Sequence, residues 1–440
     1  MRRIVLPAVL ILAAGFLITG PAHPAAAAPT CFGDEVTDAN LLGTSGSDTI
    51  NGTAGPDVII ALGGNDRING RGGDDKICGG AGNDAISGGR GLDQLQAGPG
   101  SDTSVRGDLG DDYLYGAQGH DQLIGGSGDD KLAGGIGDDL LSGRDGTDAA
   151  RYDLAPAPGV TVDLRSRRAT GTHGIDTFVG YKGVADVEAV YGSEFHDQLA
   201  GNAAANLFIA NGGSDTIVAS LGNDVVSGGL GVDSVDYSRF AVGVDVDLAE
   251  GTVSWGDPDG ASHDLSLLEA VTGSRYADRI HGDGSANVLT GGGSADILVG
   301  RGGNDLVWAG TGDDVVQSGV GDDRVYGARG ADQIVTLDGA DIVRGGPDRD
   351  SLRLGEGDDR SYGDAGADVV IGAAGRDELY GGEHSDRLYG GDQHDRVRGG
   401  SGADLVVGGN GNDDLVGGPQ HDSCRQGPGR GRLVSCERRA

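Results

Sequence analysis

The sequence predicts an all-β chain made by stacking one short unit on itself. Three observations carry that reading: a nine-residue period of the form Gly-Gly-x-Gly-x-Asp-x-apolar-x that recurs in 34 units, a composition with 88 glycines and 4% aromatics, and the lack of any sustained helical period. A strict period with glycines in one half and a carboxylate at a fixed place describes one supersecondary unit repeated many times. At 37% hydrophobic, the 440-residue chain is poor in apolar residues for large conventional cores, so a narrow, repetitive core is expected.

Residues 1–27 read as a secretion signal, with Arg2 and Arg3 at the start, an apolar run from Ile4 to Ile18 and small residues at Ala25 to Ala28. That run is too short for an ordinary membrane span, and no later stretch approaches about 18 consecutive apolar residues. A secreted, extracellular chain is expected. Residues 28–42 form an N-terminal cap segment, and 43–151 a first block of 12 units with Arg106 as the one extra residue. Its most regular unit is Gly79-Gly80-Ala81-Gly82-Asn83-Asp84-Ala85-Ile86-Ser87. Residues 192–236 hold five units, 273–425 hold 17, and 426–440 form a C-terminal cap and basic tail.

Two inserts, 152–191 and 237–272, separate the blocks and resemble each other. Both begin with Tyr, continue as Gly159-Val160-Thr161-Val162-Asp163-Leu164 or Gly243-Val244-Asp245-Val246-Asp247-Leu248, and end Val187-Glu188-Ala189-Val190 or Leu268-Glu269-Ala270-Val271. Their alternation has the period of half-buried strands, so each is expected to be a small β-hairpin-like element that covers or joins stacks. Four cysteines in an exported chain suggest disulfides, and pairing Cys31 with Cys78 and Cys424 with Cys436 would staple both ends. A zinc site made from all four is the rival, disfavoured because no pair has the short CxxC spacing.

Within a unit, residues 7 to 9, such as Lys131-Leu132-Ala133, favour a very short strand with the middle side chain inward, and six Gly- and Asp-rich residues turn the chain. Two units make one coil of 18 residues, so sixth-position carboxylates stack in columns at the strand spacing of about 4.8 Å. Carboxylates that close repel each other strongly. A hard divalent cation with six to eight oxygen ligands relieves the repulsion, and calcium suits a flexible set of Asp oxygens and backbone carbonyls better than magnesium. Transition metals prefer His or Cys, which the units mostly lack.

The candidate calcium ligands are Asp48, Asp57, Asp66, Asp75, Asp84, Asp93, Asp102, Asp112, Asp121, Asp130, Asp139 and Asp148 in the first block, then Asp215, Asp224 and Asp233 in the second. In the third block they are Asp296, Asp305, Asp314, Asp323, Asp332, Asp341, Asp359, Asp368, Asp377, Asp404 and Asp413. Asn206 and Asn287 hold the sixth place in two units and bring no charge, so weak sites are expected there. Phe195, Ala204, Tyr276, Ser285, Asp348, His384, Gln393 and Gln420 replace the fourth-position glycine, and poor binding is expected at those turns if that glycine needs positive φ. Counting each unit with the one stacked on it allows at most 28 sites.

This nonapeptide resembles the haemolysin-type calcium-binding (RTX) repeat family over roughly 70% of the chain. The resemblance implies a right-handed parallel β-roll (β-solenoid) with several calcium ions in both rows of turns, folding when calcium is supplied. RTX proteins commonly leave the cell through a C-terminal signal, whereas this chain carries an N-terminal one, which argues against a toxin role.

The net charge of −35, or −37 once Arg2 and Arg3 are removed, argues against nucleic acid as a partner. Neither a Gly-x-Ser-x-Gly elbow nor a His-Glu-x-x-His helix is present, and pairs such as Asp129-Asp130 recur with the period, as turn residues do. A non-enzymatic calcium-dependent structural or interaction module outside the cell is therefore the first reading. An extracellular enzyme acting on polysaccharide and an adhesin are the alternatives. Ice binding would need a regular outward ladder, and the outward positions Asn51, Ile60, Asn69, Cys78, Ser87, Gln96, Val105 and Tyr115 form none. The arginines of the basic tail, Arg425, Arg430, Arg432, Arg438 and Arg439, are a candidate contact for a cell-surface or matrix polymer, and Tyr113, Tyr115, Tyr326, Tyr380 and Tyr389 are candidate sugar-stacking residues.

Overall fold

The nine-residue period fixes where each strand starts and which side chain it buries. The computed structural model describes residues 29–36, 38, 41–154, 159–180, 186–256 and 260–436. The expected signal segment and the tail residues Arg438 and Arg439 lie outside them. Strands such as Ala85–Arg90, Tyr113–Gln118 and Lys131–Ile136 pair in parallel with the strand one coil away, as in Tyr113↔Lys131, Leu114↔Leu132 and Ala117↔Gly135. The chain is thus an all-β parallel solenoid with two walls. No α-helix occurs among the described residues, and no helix there is long and apolar enough to cross a membrane.

Many strands are six residues rather than three, because positions 1 to 3 of the next unit continue the ladder and only positions 4 to 6 turn. The eighth-position side chains, among them Ile77, Ile86, Leu95, Leu114 and Leu132, are fully buried between the walls. One buried aliphatic per nine residues, about 1.5–3 kcal/mol each, is a narrow core for that length of ordered chain. The extra residue of the first block is Thr103 and not Arg106. Ile86 pairs with Val105 and Ser87 with Arg106, so Val105 is a core residue and Arg106 takes the outward place.

The inserts are three-stranded meanders spliced into one wall each, while the opposite wall passes through without a break. In the first, Thr161–Asp163, Arg168–Gly171 and Gly174–Phe178 are antiparallel to one another, yet their outer strands pair in parallel with Gln198–Ala200 and Leu140–Asp145. Across from them Ala149 pairs directly with Ala189. The second insert, Val244–Asp247, Thr252–Trp255 and Ser262–Ser266, does the same in the other wall, where Val225 pairs with Asp264 and Asp245 with Arg279. Solenoid coils therefore run on through both inserts.

Both expected disulfides form. Cys31–Cys78 joins the short hairpin Thr30–Cys31/Asp34–Glu35 to the first block, with Cα atoms 5.7 Å apart, and Cys424–Cys436 closes the other end at 5.6 Å. No free cysteine remains among the described residues. The stack also gains a strand beyond the expected last unit, since Arg432–Val434 pairs in parallel with Asp414–Val416.

Candidate metal centre

Sixth-position residues form two ladders, one beside each wall. In each, the backbone N–H of one Asp donates to Oδ1 of the Asp one coil later: Asp57 to Asp75 at 2.9 Å, Asp112 to Asp130 at 2.8 Å, Asp341 to Asp359 at 2.9 Å. The second oxygen is different. In Asp66, Asp75, Asp84, Asp93, Asp102, Asp112, Asp121, Asp130, Asp139 and Asp148, Oδ2 is buried without a hydrogen-bond partner, and the same holds for Asp215 and Asp233. It holds again for Asp296, Asp305, Asp314, Asp323, Asp332, Asp341, Asp359, Asp368, Asp377 and Asp404.

Burial pushes the carboxyls of Asp75, Asp102 and Asp359 up to about 7 and those of Asp130 and Asp350 to about 8. Neighbouring carboxylates act in the same direction, Asp148 and Asp112 in the case of Asp130, against the pull of the Asp112 N–H. A row of buried, half-satisfied carboxyls at one coil spacing is costly unless something neutralises it.

Backbone geometry completes the cradle. A Cβ on first-position Gly70 would collide with Asp75 Oδ2, and one on fourth-position Gly82 with the Gly64 carbonyl oxygen. Among the described residues no three acidic, His or Cys side chains converge on one point. Each ladder supplies one carboxylate per coil, so any ligand set must be filled out by turn carbonyls, which suits a large, oxygen-preferring cation.

Four of the expected ligands meet a different geometry. Asp48 and Asp57 sit in the ladders, but their Oδ2 accepts the N–H of Thr44 (2.7 Å) and Thr53 (2.6 Å). Asp224 Oδ2 accepts from Ser220 Oγ at 2.8 Å and lies 3.4 Å from His263 Nε2, and Asp413 Oδ2 accepts from Gln426 Nε2 at 3.3 Å. Conversely Asp350, Asp386, Asp395 and Asp422, which follow broken fourth-position glycines, all carry the orphaned Oδ2. Asp348, His384, Gln393 and Gln420 take positive φ of 91°, 76°, 82° and 87° there and keep the turn at the expense of strain.

The ladders also hold residues that the period did not flag. Asp139 N–H donates to Asp176 Oδ1 at 3.2 Å, Asp148 N–H to Glu188 Oε2 at 3.0 Å and Asp233 N–H to Glu269 Oε2 at 2.9 Å. His263 precedes Asp264, which pairs with Val225, and so occupies a sixth position itself. The signal for Asp176 was present in Gly171-Thr172-His173-Gly174-Ile175-Asp176-Thr177-Phe178-Val179, a degenerate unit hidden inside the first insert.

The expected sugar platforms are partly taken up by the protein itself. Tyr326 stacks on Trp308 with ring centroids 4.1 Å apart, and Tyr380 lies between Tyr362 at 5.0 Å and the Arg398 guanidinium at 5.5 Å.

The sequence matches the RTX calcium-binding nonapeptide repeat at residues 42–77, 79–104, 104–123, 115–149, 191–226, 209–239, 272–307, 299–334, 335–370, 362–397 and 389–424. The chain belongs to the RTX repeat family. No curated protein matches it. Among solved structures, a hyperactive, Ca2+-dependent, β-helical antifreeze protein from an Antarctic bacterium aligns over 86% of this chain and 83% of its own, at 14% identity and a TM-score of 0.25. That likeness is too low to carry an argument. As an RTX repeat chain this is a calcium-binding protein, and its orphaned Oδ2 atoms fit the ion: they are buried, anionic when ionised, and without any donor in the protein.

Proposed function

We propose that the chain is an exported, non-catalytic calcium-binding roll whose folding outside the cell is governed by calcium, and which serves there as a structural or interaction module. The observation that carries this reading is the row of buried carboxylate oxygens with no partner in the protein. The ladder N–H groups hold each Asp in place through Oδ1, leaving Oδ2 without a partner beside the first-position glycine. Glycines at positions 1 and 4 keep that space clear. Calcium, when bound, supplies the positive charge that lets the columns close without mutual repulsion. Extracellular modules of this kind bind in the range of about 10⁻⁴ to 10⁻³ M, so the ladders fill outside a cell and stay empty inside one. The two disulfides support an oxidising compartment.

The test is a calcium titration of the purified mature chain followed by far-UV circular dichroism. A cooperative rise in β signal at sub-millimolar to millimolar calcium, reversed by chelator, is expected. A chain equally β-rich at every calcium level would refute the reading.

A further inference from the structure

The sixth-position residues fall into two classes, and the division follows position 2 of the unit. Where position 2 has positive φ, as at Leu62 (74°), Arg71 (78°) and Arg301 (78°), Oδ2 of that unit's Asp is orphaned. Where position 2 is a Ser, Thr, Asn or Asp outside the positive-φ region, its own N–H closes the turn onto the sixth residue, whereas Asp108, Asn211 and Asp364 take positive φ of 79°, 72° and 70° and leave Asp112, Asp215 and Asp368 orphaned. Ser193 donates to Asp197 Oδ2 at 2.5 Å, Asn202 to Asn206 Oδ1 at 2.9 Å, Ser274 to Asp278 Oδ2 at 2.6 Å and Asp283 to Asn287 Oδ1 at 2.8 Å. The Ser193 and Ser274 hydroxyls add bonds of 2.9 Å to the same carboxylates. These turns have no oxygen left over.

The self-closed turns are grouped by coil: Thr44 and Thr53 close the first coil onto Asp48 and Asp57, and the others lie around the inserts. The turns of Ser193 with Asn202 and of Ser274 with Asp283 form the coil that immediately follows each insert, and the turn between them that carries Asp224 is closed by Ser220 and His263. Among the described residues from 152 to 290 only Asp215 and Asp233 keep an orphaned sixth-position oxygen, whereas 66–148 and 296–422 hold an unbroken series of them, save for Asp413 near the far end.

The same stretch has a different core. Three of the chain's six phenylalanines are buried in it, at Phe178, Phe208 and Phe240. Phe240 packs edge-on to Trp255 at 5.1 Å and Tyr237 at 5.2 Å, and Tyr237 Oη is 3.0 Å from His263 Nδ1. Tyr152 Oη donates to Asp176 Oδ2 at 3.0 Å and its ring sits 5.2 Å from His173. Buried aromatic rings bring far more apolar area than the single Val, Ile or Leu of a regular rung.

We propose that residues 152–290 form a calcium-independent core on which the two flanking rolls, 66–148 and 296–422, close when calcium arrives. The proposal rests on the calcium-binding reading above and divides it by region. In the absence of the ion, the flanks are held apart by their own ladders. The central segment stays folded because most of its sixth-position oxygens are met by the protein and its interior is aromatic. Growth of each flank then extends an existing strand ladder instead of starting one, which avoids the long-range closure that makes parallel sheets slow to form.

Hydrogen–deuterium exchange of the full mature chain, in chelator and in millimolar calcium, separates the possibilities. The expected result in chelator is that strand amides between Ala189 and Thr290 exchange at least about 100-fold more slowly than those of the flanks, and that calcium protects the flanks to a similar level. Simultaneous loss of protection everywhere in chelator overturns the proposal while leaving the calcium-binding reading intact. Full protection everywhere in chelator overturns both. As a second arm, Ser193→Ala and Ser274→Ala are expected to speed exchange in the central segment in chelator without lowering the number of ions bound at saturation. A fall in that number would place calcium at these turns and overturn the assignment.

Discussion

Asp112 donates its backbone N–H to Asp130 Oδ1 at 2.8 Å, one coil away, while Asp130 Oδ2 is buried with no partner. One carboxylate thus does two jobs, a structural bond through one oxygen and an unmet charge on the other. Asp130→Asn keeps an acceptor for the Asp112 N–H and removes the charge. In chelator at neutral pH this variant is expected to be as stable as the parent or more so, and in calcium less stable, as read by thermal melts under both conditions. Asp130→Ala removes the acceptor as well, and the stranded N–H should cost about 1–3 kcal/mol with or without calcium.

Proton linkage gives a second expectation. Burial raises Asp75 and Asp102 to about 7 and Asp130 and Asp350 to about 8, from an ordinary value of 3.8. The ion-free fold therefore binds more protons than the unfolded chain, so its stability is fully present below about pH 4 and is lost as pH rises through 7 to 8. Circular dichroism in chelator should show more structure at pH 4.5 than at pH 8. Calcium should abolish that difference and release protons on binding, measurable in weakly buffered solution.

Backbone strain in the last third of the chain is open to relief. His384 and Gln393 stand at fourth positions with φ of 76° and 82°. Replacing either with glycine should stabilise the calcium-loaded roll by about 1 kcal/mol, within the range for a side chain held in the left-handed region. Gly82→Ala should do the reverse, because its Cβ would meet the Gly64 carbonyl. Melting temperatures of the three variants in calcium give the comparison.

The C-terminal staple closes a short loop, with Cys424 and Cys436 12 residues apart. The paired change Cys424→Ser with Cys436→Ser should cost about 2–3 kcal/mol by loop entropy. Exchange should quicken first at Arg432–Val434, the last strand, since it has a neighbour on one side only.

Much of this architecture could be read from the sequence because each of its physical causes repeats. The period placed Ile86 and Leu132 in the core and Asp84 and Asp130 in ladders, and the cysteine positions gave both staples. What escaped was context. Asp176, Glu188, Glu269 and His263 hold ladder positions in inserts whose spacing has drifted, so register with the opposite wall, not sequence interval, puts them there. Position 4 also proved a poor guide to the turn, since Gln393 adopts the glycine conformation and leaves Asp395 orphaned, while Thr53 at position 2 satisfies Asp57 despite an intact Gly55.

Small-angle X-ray scattering of the mature chain at pH 7.5 tests the central claim most directly, because ladder repulsion acts on overall dimensions. In chelator the chain should be markedly expanded, and millimolar calcium should contract it reversibly to a rod of fixed cross-section. Identical scattering with and without calcium would contradict the account.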